Sequence, residues 1–493
     1  MDTRAVALAP DRADAEAAGA SPSDAATDLR RVLKNASSLT GAYVLPRLCT
    51  FAAAVVAARA LGVMAFGQWG SAAALAVILS VTATLGMMQM LIREIARRPD
   101  RAPTLIGAAN IAKLATTTLM LGATALVAAG PLGFDSAVVT AALLLALAYG
   151  VGAFAENLGA YFQGIERMAV WMQAQALYGI VTGLLGIALA ITTRDLVWFC
   201  VAPVVGQTIA FAWLLRCAPF AVRTAWVAPT AEVKRLLSGL APFAAAFLLL
   251  TAYYKVDIIL LDRWRGAGEA GIYAAAYRFV DIAQALSVVI ASALYPRLSR
   301  LGSRAGRPAA RAIELMLLAA VPASALLWIA RDPLVTMLFG AGYAGAAGAL
   351  ALLAPALPFL ALNAIATFLL AAAGSIGIVA GSYAAALALT VALNTAWIPP
   401  LGALGAARAM VVAEVSLSIA LVLAAGRVAD ARPRLSALVP ALAAAAVAVM
   451  VGASGLGPAS ALPICTAAVA VIYALFRVMP ADERTLLRRA VSG

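Results

Sequence analysis

The chain has 493 residues, of which 64% are hydrophobic and 12% are charged, and it contains no histidine. An average soluble domain is about half apolar and about a quarter charged, so this composition predicts an integral membrane protein. Without histidine, Ser-His and Cys-His nucleophile pairs are excluded, which argues against an enzyme. The net charge of +13 is expected to collect in cytoplasmic loops rather than to bind nucleic acid. The four cysteines have no C-x-x-C spacing, so we expect no metal site and no cofactor.

Apolar stretches of helical length follow a polar segment, residues 1–29, which we interpret as a flexible cytoplasmic tail without a cleavable signal peptide. We count about fourteen such stretches, and therefore predict an all-α polytopic membrane protein with about fourteen transmembrane helices. The predicted spans are 36–61, 66–92, 104–129, 134–160, 165–191, 194–217, 235–262, 269–297, 308–330, 346–373, 375–397, 403–426, 434–454 and 460–479.

The positions of the basic residues predict the orientation of the chain. Most lysines and arginines outside the spans fall in alternate loops, and only Arg194, Arg263, Arg265 and Arg331 fall in the others. Because cytoplasmic loops retain basic residues, this asymmetry requires an even number of spans with both termini in the cytoplasm. We therefore expect a multi-pass membrane protein with this orientation.

An internal repeat divides the chain into two lobes. The segment RALGVMAFGQWGSA at 59–72 and the segment RWRGAGEAGIYAAA at 263–276 share an R-x-x-G-x-x-x-x-G-x-aromatic-x-x-A pattern at an offset of 204 residues. Since each repeat contains six spans, both enter the membrane in the same orientation. We predict an N-lobe at 30–220, a C-lobe at 221–430, and two further helices with a short cytoplasmic C-terminus at 431–493.

These loop motifs resemble a known family, together with the segments LIREIAR at 91–97, YKVDIILLD at 254–262, GIYAAAYR at 271–278 and ALYPRLS at 293–299. The resemblance is to the bacterial polysaccharide and O-antigen (Wzx-type) flippases of the multidrug/oligosaccharidyl-lipid/polysaccharide exporter superfamily. It implies flipping of an undecaprenyl-diphosphate-linked oligosaccharide from the cytoplasmic to the periplasmic leaflet of the bacterial inner membrane, by alternating access between two six-helix lobes. It also implies membrane lipids and proteins of polysaccharide assembly as partners.

Basic residues inside the predicted spans suggest how an anionic head group is bound. A charge at mid-bilayer costs about 2.5–3.5 kcal/mol on insertion scales, so such residues usually face a cavity or a partner. We predict that Arg47, Lys113, Lys255 and Arg278 clamp the substrate diphosphate. Polar residues on the same helix faces are expected to line the cavity or bind the glycan: Thr40, Tyr43, Asn110, Tyr277 and Gln284. The alternative is neutralisation in place, with Arg278 on Asp281, Lys255 on Asp257 or another helix, and Arg408 on Glu414.

Four carboxylates inside the spans are candidates for ion coupling or ion pairing: Glu156, Asp257, Asp281 and Glu414. A carboxylate in a cavity can bind H⁺ or Na⁺ in one conformation and release it in the other. Glu156 is the strongest coupling candidate because no basic residue lies within one turn of it. Structural pairing with Lys113 or Arg47 is the competing interpretation.

Three other functions compete with the polysaccharide flippase. A cation-coupled multidrug exporter would favour a cavity rich in acidic and aromatic groups, whereas the deep charges here are balanced to slightly positive. A lipid II flippase would share the fold and the need for diphosphate-binding cations. A membrane-embedded glycosyltransferase or polymerase would need a long catalytic loop, and none of the predicted loops is long enough.

Overall fold

A computed structural model describes the backbone of residues 22–84, 86–431, 433, 439–454 and 458–475. Side chains are described for the same residues except 22–45, 237–243, 296–297, 303–304, 453, 458–459 and 473–475. In these ranges the chain is helical and has no strand. The helices are α1 (Pro22–Thr84), α2 (Met87–Arg97), α3 (Ala102–Ala129), α4 (Ser136–Gly164), α5 (Met168–Thr193), α6 (Leu196–Cys217), α7 (Phe220–Arg223), α8 (Thr230–Arg265), α9 (Ala267–Leu301), α10 (Gly306–Phe339), α11 (Gly345–Leu353), α12 (Leu357–Ala372), α13 (Ile376–Leu401), α14 (Ala403–Ala429), α15 (Val439–Ala453) and α16 (Pro458–Leu475).

This helix order confirms the predicted all-α membrane fold. Among the described residues, eleven helical segments are long and apolar enough to cross a membrane, and two shorter apolar helices follow at Val439–Gly452 and Ser460–Ile472. The first segment, Pro46–Arg97, covers residues 46–61 of the first predicted span and all of the second, and α1 is interrupted between them at Gly62. Helix α1 begins at Pro22 and so includes the last part of the segment predicted as a tail; residues 1–21 lie outside the description.

The two repeat motifs form the same backbone turn. Gly62 has φ 82° and ψ 173°, and Gly266, at the offset of 204, has φ 85° and ψ 168°. Only glycine adopts such angles without strain, so the motif glycine reverses the chain between consecutive spans in both repeats. We call the end of the bundle that holds these two turns the motif end, and the opposite end, where Arg97, Arg101 and Arg216 lie, the basic end.

We call residues 22–225 the N-terminal half. Its helices approach each other most closely at glycine residues. The ring of Pro46 in α1 packs directly on Gly179 of α5, and Cys49 packs on Gly183 one turn further along. A β-carbon at either glycine would overlap α1. Small residues at this spacing allow membrane helices to approach closely, which fixes α1 against α5 and leaves the opposite face of α1 toward the C-terminal half, residues 230–429.

The two halves pack tightly at the motif end. A β-carbon at Gly67 would overlap the Ala267 carbonyl oxygen, and a β-carbon at Gly271 would overlap the Val63 carbonyl oxygen, so the contact is repeated about the pseudo-twofold axis. Two polar contacts lie beside it. The Tyr343 hydroxyl donates to the Ala58 carbonyl at 2.8 Å. The Arg59 guanidinium donates to the Leu338 carbonyl at 2.7 Å and to the carbonyl of Met337, at the end of α10.

The hydrophobic core divides toward the basic end. Near the motif end, one core contains buried residues of both halves, such as Phe66 and Tyr273. Nearer the basic end, Leu91 and Phe162 belong to a core of the N-terminal half, and Ile313 belongs to a separate core of the C-terminal half. The halves therefore share one core at the motif end and have separate cores at the basic end, where the start of α8 is tied to the N-terminal half by the ion pairs Arg101–Glu232 and Glu94–Arg235.

Candidate functional site

A cavity of about 200 Å³ lies where the two halves meet. Its walls come from the second part of α1 and from α4 in the N-terminal half, and from α8 and α9 in the C-terminal half. Positions related by the 204-residue offset face each other across it: Trp69 and Tyr273, Gly70 and Ala274, Ala73 and Tyr277, Ala74 and Arg278, and Val77 and Asp281. The cavity therefore lies on the pseudo-twofold axis of the repeat.

The two walls made by the repeat differ in chemistry. At equivalent positions α1 supplies Ala74 and Val77, whereas α9 supplies Arg278 and Asp281. Lys255 of α8 adds a second cation to the C-terminal wall. The charge of the cavity is thus concentrated on one side, opposite small apolar side chains that leave room for a ligand.

The charged groups of this wall form one cluster. Lys255 Nζ lies 2.8 Å from Asp281 Oδ1, and Arg278 NH1 lies 3.3 Å from Asp281 Oδ2. About a quarter of each of the three side chains is exposed. Arg278 is thus neutralised by Asp281, as the alternative interpretation of the sequence had it. Lys255 pairs with Asp281 on another helix, which was one of the two alternatives for it, and not with Asp257.

Aromatic rings support both cations. The Lys255 ammonium lies 4.6 Å from the centre of the Tyr277 ring, and the Arg278 guanidinium lies 4.6 Å from the centre of the Trp69 ring. Such cation–π contacts hold a positive charge without using its hydrogen-bond donors. The predicted cavity residue Tyr277 is buried and donates its hydroxyl to the Tyr254 carbonyl at 2.9 Å. Trp69 belongs to the N-terminal half, so its contact with Arg278 crosses between the halves.

Asp257 is held differently from Asp281. It is 4% exposed, and it accepts a hydrogen bond from the Tyr273 hydroxyl and one from the Ile258 amide at 2.8 Å. Tyr273 is the aromatic residue of the second repeat motif. Asp257 therefore ties α8 to α9 in the cavity wall, and its carboxylate is already hydrogen-bonded by neutral donors.

Arg47 lies on the inner face of α1, nearer the basic end than the cavity. Its side chain is exposed, and it is 15 residues, or about 22 Å along the helix, from Gly62. Ala54 and Ala58, seven and eleven residues further along, are buried in the core that the halves share. These spacings place all three residues on one helix face, so Arg47 continues the face that meets the C-terminal half.

Lys113 is paired within the N-terminal half and does not line the cavity. It is fully buried, and its ammonium donates to the Ala153 carbonyl at 2.6 Å and to Glu156 at 3.0 Å. Glu156 lies seven residues after Tyr149, a cavity residue on the same face of α4. The ion pair is therefore about 10 Å further toward the basic end than the cavity.

Asn110 lines a second, smaller cavity of about 150 Å³ inside the N-terminal half. Its amide donates to the Ala225 carbonyl at 2.9 Å, and its side-chain oxygen accepts from Asn157 at 2.9 Å. The first bond attaches the segment after α7 to α3, and the second joins α3 to α4. The structure thus places Asn110 apart from Lys255 and Arg278.

Glu414 is buried in the C-terminal half among neutral donors. It accepts from the Tyr253 hydroxyl at 3.0 Å and from the Asn363 amide at 2.7 Å. Ser418 donates in turn to Asn363 at 2.8 Å. Arg408 is exposed, and no described basic residue forms an ion pair with Glu414, so the proposed Arg408–Glu414 pair is absent from this conformation.

The remaining predicted residues fall into two groups. Thr40 and Tyr43 lie in α1 but outside the residues whose side chains the structure describes. Gln284 is half-buried, one turn beyond Asp281 toward the basic end. Sequence reasoning assigned no role to Trp69, although it is the aromatic of the first motif, and the repeat offset would have placed it opposite Tyr273.

Comparison with known proteins identifies the family. Residues 32–302, more than half of the chain, match the family model described as "polysaccharide biosynthesis protein". The chain belongs to this family. No curated protein matches the sequence. The family match confirms the resemblance to polysaccharide flippases drawn from the loop motifs.

Solved structures with the same fold are flippases and transporters. A lipid II flippase, MurJ, in an inward closed conformation has a TM-score of 0.70 and 12% identity, covering 89% of this family member and 98% of the flippase. An inward-facing multidrug resistance MATE transporter of the MOP superfamily has a TM-score of 0.62 and 15% identity, over 78% and 95% of the two chains. A MOP superfamily transporter from Pyrococcus furiosus, described with a binding pocket of reversed polarity, has a TM-score of 0.58 and 14% identity, over 80% and 93%. At these low identities, the TM-scores show that the fold is shared and nothing more.

Proposed function

We propose that this protein flips an undecaprenyl-diphosphate-linked oligosaccharide from the cytoplasmic to the periplasmic leaflet of the bacterial inner membrane, for surface polysaccharide synthesis. The observation that carries the proposal is the placement of Lys255 and Arg278 on one wall of the cavity between the halves. A diphosphate concentrates negative charge on a few oxygens, and paired ammonium and guanidinium donors are the side chains that bind such groups most strongly.

The conformation supports loading from the basic end. The halves share a core at the motif end and have separate cores at the basic end. Exposed Arg47 lies on the inner face of α1 between the basic end and the cavity. We infer that the cytoplasmic end is the basic end, that the substrate head group enters past Arg47, and that rocking of the halves then opens the motif end to the periplasm.

Three carboxylates are candidates for ion coupling. Asp257 is buried among neutral donors but lies in the cavity wall two residues from Lys255, and the other two differ in their partners. Glu414 is buried and has only neutral hydrogen-bond donors around it, while Glu156 is about a third exposed and neutralises Lys113. Because a buried carboxylate without a cationic partner is costly to keep charged, Glu414 is the better candidate for binding H⁺ or Na⁺ during the cycle. Glu156 then serves mainly as the partner of Lys113.

The charge of the cavity wall argues against a multidrug exporter for cationic drugs. Lys255 and Arg278 balance the two carboxylates of the wall: Asp281 is paired with both cations and Asp257 is bonded by Tyr273, so neither carboxylate is left without a partner for a cationic drug to bind. A lipid II flippase would need the same diphosphate-binding cations, so an experiment must distinguish lipid II from other lipid-linked oligosaccharides as the substrate.

The test is a flipping assay in proteoliposomes that contain the purified protein. Vesicles carry either an undecaprenyl-diphosphate-linked oligosaccharide, lipid II or a cationic dye, and each is assayed with and without a proton or sodium gradient. We expect transport of the oligosaccharide lipid and at least a tenfold slower rate for Lys255→Met and Arg278→Gln, because a charge-assisted contact to phosphate is lost.

Arg167→Gln is the matched control, because it removes one exposed positive charge from a turn at the basic end. Its flipping rate should equal that of the unaltered protein. Transport of the dye alone would contradict the proposal, and faster transport of lipid II would redirect it to that substrate. Gradient-independent flipping would remove the coupling role of Glu414.

A further inference from the structure

Asp281 occupies the place between the two cations where an anionic ligand would bind. One carboxylate oxygen contacts Lys255 Nζ at 2.8 Å, and the other contacts Arg278 NH1 at 3.3 Å. A phosphate group would bridge the same donors in the same way. In this conformation a side chain of the protein itself therefore occupies the anion position between the two cations.

The two cations have a second support that does not depend on Asp281. The Tyr277 ring lies under Lys255 and the Trp69 ring lies under Arg278, each at 4.6 Å. Rings bind the charge and leave the N–H donors free. The cations can consequently stay near their present positions when another anion takes the place of the carboxylate.

Arg278 also has a donor that is not in use. Its Nε is buried and has no hydrogen-bond partner among the described residues. A guanidinium binds a phosphate best through two parallel N–H donors, whereas Asp281 contacts Arg278 through NH1. The unpaired Nε is a position that a larger anion with more oxygens can fill.

Asp257, the other carboxylate of the same wall, is held by different partners from Asp281. Asp257 is 4% exposed and is bonded by the Tyr273 hydroxyl and the Ile258 amide. Both carboxylates line the cavity, but the Asp281 side chain is 26% exposed and has no hydrogen-bond or ion-pair partner among the described residues other than the two cations. Asp281 therefore has open space beside it and no neutral donor that holds it in place.

We propose that Asp281 is an internal counter-anion: it neutralises Lys255 and Arg278 in the empty cavity, and the diphosphate of the lipid substrate displaces it. This inference rests on the proposed function and adds a specificity and release step to it. A ligand must outcompete a tethered carboxylate, which excludes weakly charged lipids. Return of the carboxylate to the cations lowers the cost of releasing the diphosphate, because the cations are not left unpaired.

The test compares binding of three lipids to the purified protein: undecaprenyl diphosphate, undecaprenyl monophosphate and undecaprenol. In Asp281→Asn the competing charge is absent, so we expect affinity for both phosphorylated lipids to rise on the order of tenfold, and affinity for undecaprenol to stay the same. Turnover in the flipping assay should fall, because release is slower. Asp281→Glu, which keeps the carboxylate, should restore affinity and turnover toward the original values.

Asp332→Asn is the matched control, because it removes a carboxylate that is 68% exposed near the end of α10. A purely structural role for Asp281 predicts the opposite sign, since the cations would lose their anchor and Asp281→Asn would bind undecaprenyl diphosphate more weakly. Weaker or unchanged affinity therefore overturns the counter-anion. If Lys255→Met lowers affinity for undecaprenyl diphosphate in the same experiment, the proposed function stands even though the counter-anion role of Asp281 is rejected. If no variant prefers undecaprenyl diphosphate to undecaprenol, the diphosphate substrate itself is wrong.

Discussion

Basic residues inside the apolar bundle are neutralised in two different ways. Lys113 is fully buried and is satisfied by Glu156 and the Ala153 carbonyl. Lys255 and Arg278 are partly exposed to a cavity and share one carboxylate. Burial of an ion requires a fixed partner, so we expect Lys113 to stabilise the N-terminal half, and we expect the partly exposed cavity cations to be able to exchange partners.

The Lys113–Glu156 pair predicts a compensating double substitution. Glu156→Gln leaves a buried ammonium without its anion, so we expect the unfolding free energy in detergent to fall on the order of 2 kcal/mol, reduced from a fully buried pair because Glu156 is partly exposed. Adding Lys113→Met should recover most of the loss, because the charge is then gone. Thermal unfolding of the single and double variants measures this. If the double variant is stable but no longer responds to an ion gradient, Glu156 has a coupling role as well.

Arg47 is the exposed cation on the inner face of α1, and its position predicts a functional rather than a structural defect. We expect Arg47→Ala to abolish export of the surface polysaccharide while the amount of protein in the membrane stays near normal, because no described contact of the side chain holds the fold together. Arg47→Lys should retain part of the activity, since it keeps the charge but loses the planar donors. Normal export by Arg47→Ala would remove Arg47 from the substrate path.

At the scale of elements, two glycine contacts hold the motif end closed. Gly67 of α1 approaches Ala267, and Gly271 of α9 approaches Val63, backbone to backbone. The neighbours are carbonyl oxygens, which cannot move aside as a flexible side chain can. Helices that meet this closely must separate if a methyl group is added. The closed motif end is therefore sensitive to single methyl groups.

We accordingly expect Gly67→Ala and Gly271→Ala to shift the protein toward a conformation that is open at the motif end. In a background without the native cysteines, a cysteine introduced at the cavity position Ala73 should react several-fold faster with a maleimide applied from that end. Flipping should slow, because one state of the cycle is disfavoured. Gly268→Ala is the control, since nothing lies within 4 Å of its β-carbon position; an equal effect there would show that the contacts are irrelevant.

Across the whole chain, the spans and the repeat could be predicted from the sequence, whereas the contacts between the two halves could not. Hydropathy predicted the spans, because it depends on local composition, and the shared motif predicted equivalent loops at 59–72 and 263–276, where the turns at Gly62 and Gly266 lie. The same offset would have placed Trp69 opposite Tyr273. The contact of Trp69 with Arg278 depends on how two distant helices pack. Glu414 accepts hydrogen bonds from Tyr253 and Asn363, which lie on two other helices. No spacing in the sequence brings these three residues together.

The distribution of basic residues between the two ends predicts the orientation of the whole bundle. In the structure the helix ends and turns near Arg97, Arg101, Arg216 and Arg223 lie at one end, with few basic residues at the other. Because loops rich in lysine and arginine are retained in the cytoplasm, we expect the motif end to face the periplasm. Ser136→Cys, exposed at the motif end, should react with a membrane-impermeant maleimide in intact spheroplasts. Thr224→Cys, exposed at the basic end, should react only after permeabilisation. The reverse pattern would invert the bundle, and with it the direction of transport.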